Sequence, residues 1–448
     1  MKGFFMINKT AKRAACTIIA AVVTLTSCFS LFSCSESYVE GGYASRVTSA
    51  RLNERGELII VYSDGREQNL GAVSNQGTTI NIEGGESDVA TATSLGLCAA
   101  VSITANFKKT YNNPYGGLFP GYGSGTVTDS YKSEGSGVIY KLDRESGSAF
   151  IITNYHVVYD NTSDSKTGIS EDIEIYLYGG EEEDYAIPAE YVGGSLYYDI
   201  AVLYVKDCPA LKNSAHNAPK IADSENVAVG TTAIAIGNPE GYGISASLGV
   251  VSVNSEYITM TAANGYNSVT FRVMRVDTAI NSGNSGGGLY NERGELIGIV
   301  NAKIVDSKVE NIGYAIPSNV AAAVADNIID NCFEKENETV MRALLGINYA
   351  ATDSMAVVDS ELGIVKVKET VSVAEIVEDS IAEGVFEVGD VLSSVTLGDK
   401  TVEITKRHHV VDLMLNARVG DEVKFEILRG GAKKTVKVTV TEDAVVAY

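Results

Sequence analysis

Between residues 88 and about 330 the chain is built of short apolar runs, rich in Val, Ile and Ala, separated by turn residues. Runs such as Ala149–Thr153 and the stretch that follows Asp199 are strand-length and bounded by Gly, Asn or Asp. That spacing predicts an all-β barrel architecture. The pattern changes at 319–333, "NVAAAVADNIIDNCF", where apolar positions fall at helical spacing and predict a helix closing this unit. A charged stretch, "EKENETVMR", then leads into an α/β piece. Its strands are expected near 344–349, 363–368, 391–396 and 422–428, and its helix near 405–416. Upstream, in 46–85, apolar runs alternate with "NERG" and "SDGR", a hairpin-type pattern that predicts a small β-module of unassigned task.

The amino terminus follows another logic. Lys2, Lys9, Lys12 and Arg13 precede the apolar run 14–25, the build of a secretory targeting segment. "LTSC", ending at Cys28, resembles the bacterial lipobox, whose Cys is lipidated; "LFSC", ending at Cys34, is a second candidate. An uncleaved anchor is the alternative, because 14–35 carry no charge and are long enough to span a bilayer. In each case the working domains face away from the cytoplasm, tethered to the cell membrane. The chain thus divides into a targeting segment (1–34), a tether with a β-module (35–87), a barrel domain (88–333), a linker (334–343) and a C-terminal domain (344–448).

Composition narrows the chemistry. The chain has 448 residues and a net charge of −22, which repels phosphate backbones and argues against a nucleic-acid partner. No phosphate-binding loop or dinucleotide fingerprint occurs. Six Cys form no CxxC pair, and the four His show no metal-ligand spacing apart from the adjacent His408–His409, so neither a metal nor a cofactor is expected. Cys98 and Cys332, in apolar surroundings, are expected to be buried, and Cys208 to be a spare thiol.

"NSGNSGG", residues 281–287, is either a flexible turn or the loop that carries a reactive serine. A serine hydroxyl needs a base, and the base needs an orienting partner. His156 follows an apolar strand and opens a turn. Asp199 heads a buried strand, where a carboxylate is costly unless hydrogen-bonded. Ser285 is the candidate nucleophile. Gly283, two residues earlier, lets the N–H groups of Gly283 and Ser285 converge as an oxyanion hole. The order His156, Asp199, Ser285 is that of chymotrypsin-like double β-barrels.

These residues also carry a resemblance. "TNYHVV" (153–158), "DIAVL" (199–203), "AIGNPEGYGISASLGVVS" (235–252), "AINSGNSGGGLYNERGELIGIV" (279–300) and "GYAIPSN" (313–319) are similar to the HtrA/Deg family of bacterial envelope serine proteases. The resemblance implies a mainly β fold, a chymotrypsin-like double β-barrel followed by an α/β PDZ-like domain, and trimeric assembly. Ala279 and Ile280, faced by Val300, Asn301 and Ala302, would line the first specificity pocket. Because none of these can neutralise a Lys or Arg, cleavage after medium apolar residues is expected, a preference that selects unfolded chains. By position, 108–134 matches the family's long regulatory loop, against the alternative of a mobile surface loop, and 254–270 its sensor loop. "LLGI" (344–347) with "VFEVGDVLSSV" and "VGDEVKFEILRGG" resembles a PDZ domain, in which Leu345, Gly346 and Ile347 would receive a peptide C-terminus. His408 and His409 would either touch that ligand or lie on a solvated helix face. Two other functions compete: a non-proteolytic chaperone or peptide-binding scaffold on the same fold, and a regulatory protease for one signalling substrate.

Overall fold

The computed structural model describes residues 89–112, 126–180, 185–304, 312–333, 341–360 and 363–447, and the backbone of 47–52, 57–62 and 67–72. The targeting segment, with Cys28 and Cys34, lies outside the described residues. Two compact units are formed, Met1–Gly85 and Glu86–Tyr448. In the first, β1 (Val47–Leu52), β2 (Glu57–Tyr62) and β3 (Glu67–Ala72) pair antiparallel in sequence order, the meander that the two polar tetrapeptides between the runs predict.

The second unit contains two closed barrels. In the first, β4 (Ala100–Asn112), β5 (Thr126–Asp143), β6 (Ser148–Thr153), β7 (Asp172–Leu177), β8 (Ile187–Ser195) and β9 (Ile200–Val205) close in the order β4-β5-β6-β9-β8-β7. The other comprises β10 (Thr232–Gly237), β11 (Ser245–Thr261), β12 (Ser268–Val276), β13 (Gly288–Tyr290), β14 (Leu296–Val300) and β15 (Gly313–Pro317), closing as β10-β11-β12-β15-β14-β13. Period-2 geometry explains why the runs are apolar throughout. On β9, Ala201 and Leu203 fill the first barrel, while Ile200 and Val202 face the seam between barrels. On β10, Ala233 and Ala235 fill the second barrel, and Ile234 and Ile236 join the seam. Helices α1 (Val89–Leu97) and α2 (Ser318–Ile328) precede and follow the barrels. Val320, Val324 and Ile328 of α2 pack into the seam, and a π-helical turn, Ile329–Phe333, continues the helix.

Past β16 (Met341–Ala343), the C-terminal sheet is made of β17 (Ile347–Asp359), β18 (Ile364–Ile376), β19 (Val391–Leu397), β20 (Lys400–Glu403), β21 (Glu422–Arg429) and β22 (Ala432–Thr439), in the order β17-β18-β19-β21-β22 with β20 on β19. Helix α3 (His408–Met414) packs on it, and β23 (Val445–Ala447) pairs with β16.

Several expectations change here. The 108–134 segment is not one loop: 108–112 and 126–130 are paired strands, Lys108 opposite Ser130 and Asn112 opposite Thr126. The stretch 254–270 is likewise mostly the β11–β12 hairpin, with Glu256 opposite Val273 and Thr261 opposite Ser268. Cys98 and Cys332 are half-buried where full burial is expected, while Cys208 is a free thiol packed beside Leu211 in the first barrel's core. His408 and His409 face neither open solvent nor the β17 edge where a peptide would add, for both bond Glu225 of the barrel domain.

Candidate active site

Each candidate side chain sits at a strand edge on the seam. His156 lies on a single helical turn, Tyr155–Val158, directly after β6. Asp199 immediately precedes β9 with φ 53°, a left-handed conformation that Asp tolerates better than most residues. Asn154 fixes this corner from within, its Nδ2 donating to the Asp199 carbonyl at 2.7 Å. Tyr155 is tucked against Gly194 and Tyr159, the two rings 5.0 Å apart, and burial pushes its phenol up to about 12.

The Asp199 carboxylate accepts three hydrogen bonds. The backbone N–H of His156 reaches Oδ1 at 3.0 Å, and His156 Nδ1 and Asn301 Nδ2 reach Oδ2 at 2.7 and 2.8 Å. Burial alone would push this acid's pKa up, but the imidazole and these donors outweigh it and hold the carboxyl below the usual range. Since Nδ1 faces an acceptor, it carries the proton and leaves the lone pair on Nε2.

Ser285 approaches from the second barrel. Its Oγ accepts the Ala302 N–H at 3.2 Å, and no hydrogen bond joins it to His156. The structure thus joins His156 and Asp199 directly and brings Ser285 to them through residues 301 and 302. Close backbone contact demands glycine here. A Cβ on Gly286 (φ 85°) would lie 2.2 Å from the Ser136 carbonyl and 2.3 Å from Thr153 Oγ1. One on Gly283 (φ 91°) would lie 2.2 Å from the Asn238 carbonyl. Among the described residues, the N–H groups of Gly283 and Ser285 meet no acceptor.

Ser136 was not singled out by sequence. Its Oγ donates to the Gly283 carbonyl at 2.7 Å and accepts the Asn238 N–H at 2.8 Å, and its own N–H donates to the Ser285 carbonyl at 2.8 Å. It is fully buried on β5, so the first barrel clamps the loop of the second. A polar residue in a small-residue run, "GSGVIY", is the only local hint of it.

The five pocket residues separate. Ile280 and Val300 belong to the second barrel's core, with Ala302 packed against it. Ala279 offers its carbonyl to Ser247 Oγ. Asn301, fully buried, turns its Nδ2 to Asp199. In the C-terminal domain, Leu345 and Ile347 are buried on either side of Gly346, which has φ 79° and whose carbonyl accepts the Val377 N–H at 2.8 Å. The adjoining β17 is an edge strand.

Known proteins share this layout. A trypsin-like peptidase domain matches residues 135–299, and a PDZ domain matches 344–440. The chain is 31% identical over 386 residues to the serine protease Do-like HtrA of Lactococcus lactis subsp. cremoris, covering 83% of this chain and 85% of that protein. It is 31% identical over 332 residues to the serine protease Do-like HtrA of Bacillus subtilis, covering 72% and 67% respectively. Identity is also 31%, over 312 residues, to the periplasmic pH-dependent serine endoprotease DegQ of Escherichia coli, covering 69% and 60%. A solved structure of the HtrA-type protease AlgW with a decapeptide is 26% identical and covers 79% of this chain and 98% of that one, with a TM-score of 0.48. With that extent of similarity to Do-like proteases, and a trypsin-like domain followed by a PDZ domain, the chain belongs to the HtrA family of serine proteases.

Proposed function

We propose that the chain is an exported endopeptidase that cleaves unfolded or damaged envelope proteins after medium apolar residues, through an acyl-enzyme. Ser285 Oγ, released from Ala302, gives its proton to His156 Nε2 and bonds to the scissile carbonyl carbon. The oxyanion is held by the N–H groups of Gly283 and Ser285. As the C–N bond breaks, His156 returns the proton to the leaving amine, and water repeats the sequence to free the acid. Asp199 keeps the imidazole in the required tautomer and balances its charge. The observation that carries this reading is the 2.7 Å bond from His156 Nδ1 to a buried Asp199, beside a serine loop with two unengaged N–H groups.

The PDZ domain would select substrates by their C-termini, the peptide adding to the edge of β17 with its carboxylate at Leu345, Gly346 and Ile347. Cys28 would tether the chain to the membrane, trimers would form, and the site would face outward, as the periplasmic name of the E. coli relative supports.

A fluorophosphonate probe tests the core of the proposal. It should label the wild type and leave Ser285→Ala unlabelled. Equal labelling of both, or of neither, would overturn the peptidase assignment of Ser285 and leave a peptide-binding scaffold. Mass spectrometry of the mature amino terminus tests the form of the tether; a lipidated Cys28 supports it, and an unmodified Cys28 within an intact chain would replace the lipid by an uncleaved anchor.

A further inference from the structure

We propose that Glu225, His408 and His409 form a binding site for a divalent transition-metal ion such as Zn2+, tying the PDZ helix to the second barrel. Glu225 lies on the turn Ser224–Asn226 that leads toward β10, and the two histidines open α3, more than 180 residues away. One ligand atom from each falls within 4.8 Å of the others. Both imidazole Nε2 atoms lie 3.1 Å from the same oxygen, Glu225 Oε2. Metal–ligand bonds of 2.0–2.1 Å place tetrahedral ligand atoms about 3.3 Å apart, so a small inward adjustment suffices.

The proton positions favour a cation. His409 Nδ1 lies 2.8 Å from the Glu403 carbonyl, which can only accept, so Nδ1 carries the proton; the Thr405 N–H is farther, at 3.3 Å. In the neutral ring, Nε2 then presents a lone pair to a carboxylate oxygen. Two acceptors facing each other need a positive charge between them, which either a second ring proton or a metal ion supplies. The backbone carbonyl on the far nitrogen is also the partner that orients metal-ligating histidines.

The surrounding charge leaves room for an ion. Arg272, buried, pairs with Asp412 and lies 2.9 Å from Glu225 Oε1, which leaves Oε2 to the imidazoles. With both rings neutral, these three ionic groups carry one net negative charge. Lys406 on α3's approach and Lys400 on the wall of an adjoining cavity of about 380 Å³ add cations, while Asp223 and Asp326 add carboxylates across it. His409 and Glu225 line that cavity, which provides entry and space for a water as the remaining ligand.

Co2+ is the probe, read by the visible absorption of the four-coordinate ion on the full chain. One Co2+ should bind per chain and be displaced by Zn2+. Affinity should fall at least about 100-fold in His409→Gln and in Glu225→Gln, and stay unchanged in His216→Gln, since loss of a ligand costs at least as much as loss of its outer support. His409→Gln keeps a side chain that can donate to the Glu403 carbonyl, and once its metal-free melting curve shows it folded it decides the matter even if Glu225→Gln unfolds. No Co2+ binding by the folded wild type, or binding that survives His409→Gln, overturns the proposal and leaves an ion-paired contact between domains.

Discussion

Asn301 donates through Nδ2 to Oδ2 of Asp199 at 2.8 Å, the same oxygen that holds Nδ1 of His156. The carboxylate is buried, so each donor matters more than it would in water. Asn301→Ala should lower kcat about tenfold while leaving KM within about twofold, because the residue supports the imidazole and not the peptide. Stability should fall by about 1–3 kcal/mol, the cost of withdrawing a donor from a buried acceptor. A variant that raised KM alone would assign Asn301 to the specificity pocket instead.

Ser136 is the second positioning residue. Ser136→Ala strands the buried Gly283 carbonyl and the Asn238 N–H, each worth about 1–3 kcal/mol if unsatisfied. The expected result is a melting temperature several degrees lower and a probe-labelling rate at least about tenfold slower. Ser136→Thr, which keeps the hydroxyl, should recover part of the rate. Unchanged labelling by Ser136→Ala would show that the loop holds its shape unaided.

Gly286→Ala should be more damaging than either. The new methyl meets backbone carbonyl and Thr153 Oγ1 below 2.5 Å, at a φ of 85° that an L side chain rarely adopts. Folding yield should drop sharply, and any folded fraction should fail to label. A stable, reactive Gly286→Ala would mean that the loop and β5 separate more easily than their packing indicates.

What the sequence made legible is what short-range pattern can carry. Strands β6, β9, β10 and β14 are apolar on both faces, so turn-bounded runs announce them; His156 follows one such run, Asp199 precedes another, and Ser285 lies in the Gly/Ser turn before β13. Contacts across the fold leave no such trace. Nothing in "VNAK" says that Asn301 points to a carboxylate 102 residues earlier, and nothing near Glu225 announces two histidines of α3. The β4–β5 arms beyond the barrel carry no strand signal, because 126–130 are exposed throughout and show no buried face. Strand β22, "AKKTVKVT", is silent in the pattern for the same reason: its four leading positions are solvated and only Val436 and Val438 turn inward.

Glu295 gives a pH prediction. Lys220, Asn291 and Arg293 hydrogen-bond its carboxylate, and although burial opposes ionisation, they hold its pKa at about 2. A depressed acid stabilises the fold above its unfolded pKa, near 4.5, and that contribution is lost as pH falls from there toward 2. Because Lys220 and Arg293 are exposed, solvent screening reduces the gain to about 1–2 kcal/mol. Glu295→Gln should therefore melt below the wild type at pH 7 and converge with it near pH 2. Parallel melting curves across that range would refute the assignment.

Arg272 is buried between Glu225 and Asp412. Arg272→Ala leaves two carboxylates without their shared cation, a change that costs about 3–5 kcal/mol for buried pairs. The C-terminal domain should loosen from the barrel, and the 334–343 linker should be cut faster in limited proteolysis. An unchanged cleavage rate would show that apolar contacts alone hold α3 in place.

Ser136 belongs to one barrel and the loop it grips to the other, so the chemistry depends on how the two halves are seated. A slip at the seam, too slight to melt either barrel, would be enough to unseat the serine loop. Reactivity at Ser285 and the integrity of the fold are therefore separable quantities, the first set by the seating of two halves and the second by the core of each.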